Sequence, residues 1–589
     1  MRLTLKHLSL IASSILLIGC GGGGTSDNTS SGISTGGTTG GTTGGTSGGT
    51  TSGNTSSTKS ITITDDYHVE SLGQSNTISA TVNLGNTPKS LYILLSNYHE
   101  TQLASTNITH NKTVSRNDSQ KVLEEPVTAI QAKALHTHAS IQEFNRNSKK
   151  FFKTNTLSQD FQAKTLEINT VSNKDIAGDT NTFYLDRGTS DPTQATARKV
   201  DSNISTEFGD KTLNIWVSDD SFDSGSGCQR PRCVTQAMVD ALAETFLKAG
   251  ADNDIYDWVT NIYGEEWNSD AQSKYSNLIA ANDEITILLT DIDDDNSTNG
   301  GIIGYFHSKD NFNSTDDTPR SNQRIMFYAD AVLFANASGE WSIDDFWPKE
   351  IVSTLAHEFE HMIHFYQKTV LLDATSETWL NEMLAETTED LIATKIQHIG
   401  PRGVAHTDGS AGSVGNTEGR YPRFNQNNTL SLTTWNSDLA DYSKVNAFGA
   451  YLVRNYGGAK VLHDIMHNAF EDEAAVVDAV NKSVQGSGKT FNMLLKEWGI
   501  AVLLSDNENL QNTPVYNTGD FTLDTYNNST YELGSINFFN YSPAPTVNTA
   551  ADTVQAQGNY YYKVGDNLSG TVTIDLTLNG TTEATLIAK

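Results

Sequence analysis

His357-Glu358-Phe359-Glu360-His361 is the stretch on which the reading of this chain turns. Two histidines four residues apart stand one above the other on a helix, so both imidazoles can reach one metal ion. Zinc suits such a pair, because imidazole is a borderline ligand and the ion accepts tetrahedral geometry. Glu358 projects beside the histidines, where it can take a proton from a water and pass it to a leaving amine. The surroundings read as helix. Trp347-Pro348 marks the start, since proline is tolerated in a first turn whose N–H groups have no partner. Ile351, Leu355, Phe359, Met362 and Tyr366 recur with helical period. At about 100° per residue, His357 and His361 fall on the side opposite this stripe. The pattern predicts one buried face and one polar, ligand-bearing face flooring a cleft.

A catalytic zinc ion needs a third protein ligand and keeps its fourth position for water. The pattern HExxHxxGxxH is excluded, because His364 stands at the glycine position and Gln367 at the last histidine. Another large class of zinc peptidases takes a glutamate from the next helix. Twenty-one residues after His361 comes Glu382, within Glu377-Thr378-Trp379-Leu380-Asn381-Glu382-Met383-Leu384-Ala385-Glu386. Ser376 reads as the N-cap of this helix and Gly400-Pro401 as its end. Leu380, Leu384 and Leu391 share one face, and Glu382, Glu386 and Glu389 share the other. Glu382 is the expected third ligand. Glu386, one turn on, is expected to orient a ligating histidine.

These residues carry a family resemblance. His357 to His361, followed by Trp379-Leu380-Asn381-Glu382, looks like the gluzincin arrangement of the zinc aminopeptidases. The fuller run, His357 to Phe365 and then Trp379 to Glu386, most resembles the hyicolysin-type neutral metallopeptidases. The resemblance covers about residues 181–505 and is sharp over 351–391. It implies one zinc ion held by His357, His361 and Glu382, with Glu358 as general base, acting on a protein or peptide substrate. It also implies an α+β fold in which a mixed-sheet subdomain and a helical subdomain flank the cleft. The Gly-x-Met-Glu-Asn motif with which zinc aminopeptidases hold a substrate amine is missing, which favours an endopeptidase. Tyr442, in Asp441-Tyr442-Ser443-Lys444, resembles the transition-state tyrosine of zinc aminopeptidases. It is a candidate oxyanion donor, with a packing tyrosine as the alternative; His364 and His406 are further candidates.

Toward the N-terminus, residues 1–20 read as a targeting segment. Arg2 and Lys6 precede the short apolar run Leu8 to Ile18, which ends in Leu17-Ile18-Gly19-Cys20 and resembles a bacterial lipobox. Cys20 is the expected lipidation site, anchoring the chain to the bacterial cell envelope, with Gly21 favouring the outer membrane or cell surface. Residues 21–58 are almost wholly Gly, Thr and Ser and read as a flexible tether, with an r.m.s. reach of roughly 35 Å. Residues 59–180 form an N-terminal region, β-rich and then helical, whose removal as a propeptide stays open. Residues 181–505 read as the metallopeptidase domain, with strands at 213–217 and 284–289 and a helix over 234–249 stopped by Gly250. Residues 506–589 read as a β-rich C-terminal module.

Two smaller features complete the reading. Asp291, Asp293 and Asp295 match the first three ligand positions of a calcium loop, but Asn296 and Ile302 stand at its sixth and twelfth positions. An acidic turn is the preferred reading, and Ca2+ the alternative. Cys228 and Cys233, flanking Pro231, are expected to form a small disulfide loop that pins a turn. The 589 residues carry 70 acidic against 39 basic side chains, a formal charge of −31. That balance argues against nucleic acid as a partner, because phosphate contacts need clustered Lys and Arg. The rival to an enzyme is a surface adhesion or binding lipoprotein that uses a peptidase fold as a scaffold.

Overall fold

Residues 55–112, 138–154, 174–185, 192–510, 513–550 and 552–589, apart from 316 and 319, are described by a computed structural model. The expected signal segment with Cys20, and nearly all of the tether, lie outside them. Among the described residues no helix is long and apolar enough to cross a membrane.

A six-stranded mixed sheet supports the site. Its order is Gly304–Phe306, Met326–Asp330, Glu284–Thr290, Gly209–Ser218, Pro192–Thr206, Thr180–Tyr184. Glu284–Thr290 pairs in parallel with both neighbours, and the remaining pairings are antiparallel. Every residue of Glu284–Thr290 is buried, as its near-continuous apolar run requires of a strand covered on both faces. The short strand Gly304–Phe306 is left at the edge. The predicted helix over 234–249 runs Gln236–Phe246 and is capped by the Thr235 side chain. The helices that follow the sheet, Phe346–His364, Thr378–Ile392 and Leu439–Asn455, pack on one another and share its core. A mixed sheet subdomain beside a helical one is the α+β architecture expected from the sequence.

The two β-rich ends of the chain join each other. One four-stranded sheet runs Ser56–Thr62, Thr77–Asn83, Thr571–Thr577, Asn107–Lys112; the other runs Gly558–Leu568, Lys89–Asn97, Thr582–Ala588, His68–Gly73. The second sheet alternates strands from opposite termini, and in the first the C-terminal strand Thr571–Thr577 lies between two N-terminal ones. Thr571–Thr577 shows the simple pattern of one buried face, with Val572, Ile574 and Leu576 turned inward. Lys89–Asn97 is buried almost throughout, because its two faces have different partners. Leu91, Ile93 and Leu95 pack between the two sheets, whereas Tyr92 and Leu94 belong to the core around the helices. Gly499, on the helix Phe491–Leu503, meets this strand closely: a Cβ there would lie 2.9 Å from the Leu94 side chain.

Because Lys89–Asn97 is hydrogen-bonded on both sides to C-terminal strands, a single cleavage between Lys112 and His138 should not separate the pieces. Both are expected to co-elute in gel filtration under native conditions and to part only in denaturant. Separation in native buffer would show that the interleaved pairing contributes little.

Candidate metal centre

The helix Phe346–His364 is enclosed on every side from Ile351 onward. His357, Glu358 and Glu360 are essentially inaccessible, and His361 is only 7 % exposed. Here the amphipathic expectation is corrected. The face opposite the apolar stripe is polar but not exposed, because the glutamate helix Thr378–Ile392 packs over it.

At that contact Glu382 Oε2 lies 3.2 Å from His357 Nε2 and 3.5 Å from His361 Nε2. The two imidazole rings are 4.7 Å apart and nearly perpendicular, at 86°. Tetrahedral zinc with bonds of about 2.0–2.2 Å holds its ligand atoms roughly 3.3–3.5 Å apart, so the three residues fit that ion. Burial opposes ionisation of Glu382, but the His361 and His357 imidazoles hold its carboxyl well below the usual range. Burial also disfavours the charged imidazole of His361, yet Glu382 lifts it to about 9.

Glu358 lies beside this group. The Phe306 N–H donates to its Oε2 at 2.8 Å, which ties it to the edge strand. Its Oε1 is buried and has no hydrogen-bond partner in the structure, an orphan that a polarised water would satisfy. Burial pushes its carboxyl up to about 7. The close approach depends on Gly304, where a Cβ would come within 2.6 Å of Thr354 Cγ2 and 3.0 Å of the Tyr328 carbonyl oxygen.

The group that orients His357 is not the one expected. Glu389 Oε1 lies 2.9 Å from His357 Nδ1, and Ser353 Oγ donates to Glu389 Oε2 at 3.3 Å. Glu386 instead receives Arg420 in a two-pronged pair, at 3.0 and 2.7 Å. Helical geometry explains the difference. Seven residues make almost two full turns, so Glu389 returns to the azimuth of Glu382, whereas Glu386 is rotated by about 40°. The seven-residue interval was the signal in the sequence that could have identified Glu389. The ends of this helix also differ from expectation. Glu377 is the N-cap, because the Ser376 hydroxyl is engaged 3.1 Å from His364 Nε2, and the helix stops at Ile392 rather than near Gly400.

Tyr442 lies in the first turn of Leu439–Asn455, which is capped by Asp438. Its hydroxyl accepts from Gln142 Nε2 at 2.8 Å, and the same nitrogen donates to Glu382 Oε1 at 2.8 Å. Gln142, on the short helix Ala139–Asn147, had no signature in the sequence. Gly449 lets the tyrosine helix come close to the glutamate helix, since a Cβ there would meet Thr387 Oγ1 at 1.8 Å. His364 lines the cavity beside the ligands; His406 does not.

Cys228 and Cys233 are joined as expected. Their loop presents Arg230 to the acidic turn, where it pairs with Asp291 at 2.8 Å and also with Asp220 and Asp294. Asp293 lies 2.7 Å from His138 Nε2, and Asp295 accepts from the Ser297 N–H. The three carboxylates thus face different partners. Among the described residues the groups able to hold a metal are His357 with His361 and Glu382, and the overlapping His357 with Glu386 and Glu389.

Two imidazoles and one carboxylate, with His361 and Glu382 lining a cavity, form the donor set of a catalytic rather than a structural zinc centre. Residues 192–577 match the family Peptidase M30, and the chain belongs to that family. Over 292 residues it is 26% identical to the neutral metalloprotease ShpI of Staphylococcus hyicus. That alignment takes in 47% of this chain and 53% of the relative, so the similarity spans about half of the relative's length.

Glu389→Ala should weaken zinc binding by about 10–100-fold, as loss of a partner behind a ligating histidine does, and competition with a chelator would measure it. Glu386→Ala should act mainly on stability, because it leaves Arg420 buried without its carboxylate. Equal zinc affinities for wild type and Glu389→Ala would remove Glu389 from the metal centre.

Proposed function

We propose that this chain is a zinc metalloendopeptidase that hydrolyses peptide bonds in proteins. The observation that carries the proposal is the buried convergence of His357 Nε2, His361 Nε2 and Glu382 Oε2 beside a general base with one unpartnered oxygen. Zinc, when bound by these three residues, polarises the scissile carbonyl and acidifies the attacking water. Glu389 holds the His357 ring through Nδ1, which leaves Nε2 directed at the ligand group. The Phe306 N–H fixes one oxygen of Glu358, so the other is placed to accept the proton that the water loses. The protonated Glu358 then delivers that proton to the departing amine. The Tyr442 hydroxyl and Glu382 Oε1 accept from the same Gln142 nitrogen, so the hydroxyl stands close to the ligand group, and with that amide withdrawn it donates to the carbonyl oxygen as it gains charge. Calcium stays outside the proposal, because the cation facing Asp291 and Asp294 is Arg230.

Glu358→Gln should retain one zinc ion per chain while kcat for peptide hydrolysis falls by about 10²–10⁴-fold, the usual contribution of a general base. Metal analysis alongside a fluorogenic peptide assay checks both halves. Turnover at the wild-type rate would exclude Glu358 as the base.

We further propose that Cys20 carries a lipid that holds the enzyme on the bacterial cell envelope, at the outer membrane or cell surface. The support is the charged start, the apolar run and the Leu17-Ile18-Gly19-Cys20 ending. Cells grown with labelled palmitate should label the wild-type chain and not Cys20→Ser, and the variant should move to the soluble fraction. Label retained by Cys20→Ser would place the lipid elsewhere.

A further inference from the structure

The cleft beside the metal ligands has an occupant drawn from the chain itself. The helix Ala139–Asn147 precedes the family-matched residues 192–577 and reaches the site with two primary amides. Gln142 uses its whole hydrogen-bonding capacity there. Its Nε2 donates to Glu382 Oε1 and to the Tyr442 hydroxyl, both at 2.8 Å. Its Oε1 accepts from Trp435 Nε1 at 3.1 Å and from Ser437 Oγ at 3.0 Å. One turn on, Asn145 Nδ2 donates to the Phe306 carbonyl oxygen, and Asn145 Oδ1 accepts from the Ser308 N–H, each at 2.9 Å.

The second pair is informative because of where it falls. Gly304–Phe306 is the edge strand of the mixed sheet, and its free side is where an added extended chain would pair. A carbonyl at Phe306 and an N–H at Ser308, on either side of His307, are the groups that a strand lying parallel would engage. A primary amide carries the same donor and acceptor as a peptide bond. The open strand edge and the tyrosine hydroxyl, two features a bound peptide would use, are thus both engaged by one helix. The space that remains between Gln142, Asn145 and Arg146 on one side and Glu358, His361 and Glu382 on the other is about 40 Å³, room for roughly three waters. The helix thus forms one wall of the space beside the ligands.

We propose that Ala139–Asn147 is an internal inhibitor seated in the substrate cleft, with Gln142 and Asn145 standing in for substrate peptide groups. The chain in this conformation is latent, and the helix must leave before a protein substrate can enter. This rests on the peptidase reading above. The way the helix is held suits release. Only Ile141 and Gln142 are buried among its nine residues. Its outer side is tied by the exposed pair Arg146–Glu377 at 2.8 Å, and the turn after it by Lys149–Asp373 at 3.1 Å. Exposed ion pairs of this kind hold weakly and are screened by salt.

The test uses the zinc-loaded full chain as wild type, as Gln142→Ala/Asn145→Ala, and as Arg146→Glu, which leaves the buried contacts in place. Two quantities are read: binding of a dipeptidyl hydroxamate by calorimetry, and hydrolysis of a quenched fluorescent peptide. Both variants are expected to keep their zinc, bind the hydroxamate at least tenfold more tightly and cleave at least tenfold faster. Unchanged binding and turnover in both variants would overturn the proposal. So would weaker zinc binding and slower hydrolysis in the double variant, which would make Gln142 a positioning residue for Glu382. Tighter hydroxamate binding without hydrolysis in any form would support the inhibitor and remove the peptidase reading instead.

Discussion

The structure of this protein is organised around a carboxylate held between two imidazoles in a place that water scarcely reaches. Glu382 meets His357 and His361 at 3.2 and 3.5 Å with all three side chains nearly inaccessible. Burying such groups is costly unless each is paired or shared with a cation. That requirement propagates outward. Glu389 holds the far nitrogen of His357, Arg420 neutralises Glu386, and Arg454 pairs with Asp390 at 2.7 Å. The glutamate helix is therefore acidic along its buried length, with a separate compensation at each turn.

The same constraint accounts for the close packing around the site. The edge strand approaches the histidine helix at Gly304, and the tyrosine helix approaches the glutamate helix at Gly449. A side chain at either position would push apart elements whose polar atoms must meet within hydrogen-bond distance. Rigid support of this kind fits a centre whose ligands must converge before the metal arrives, because ligands left to find one another would lose conformational entropy on binding. The interleaved sandwich is joined to this core through the strand Lys89–Asn97, whose alternate side chains serve two different cores.

Much of the site was legible in the sequence because it is encoded by local periodicity. His357 and His361 are one helical turn apart, so their convergence follows from the pitch of a helix. The small disulfide loop follows from two cysteines in one turn, and the central strands follow from short apolar runs. The errors have equally local causes. The sequence pattern placed Glu382, Glu386 and Glu389 on one polar face, but a face does not say which neighbour it meets. Glu386 was assigned to the histidine because it is one turn from Glu382. Glu389 takes that role because two turns bring it back into line.

What the sequence determined by itself, then, is the chemistry available: two imidazoles, a base between them, a glutamate on the next helix, and a cysteine that ends an apolar run. The tertiary structure decided which of these groups meet. Gln142 reaches Glu382 across 240 residues, and Ser79 meets Asp575 across 496. Contacts of that range leave no repeat or spacing in the chain, since they depend on how separate elements pack rather than on the geometry within any one of them. For the same reason the acidic turn at 291–295 has the residue types of a cation loop, while its partner, Arg230, is supplied by a distant loop.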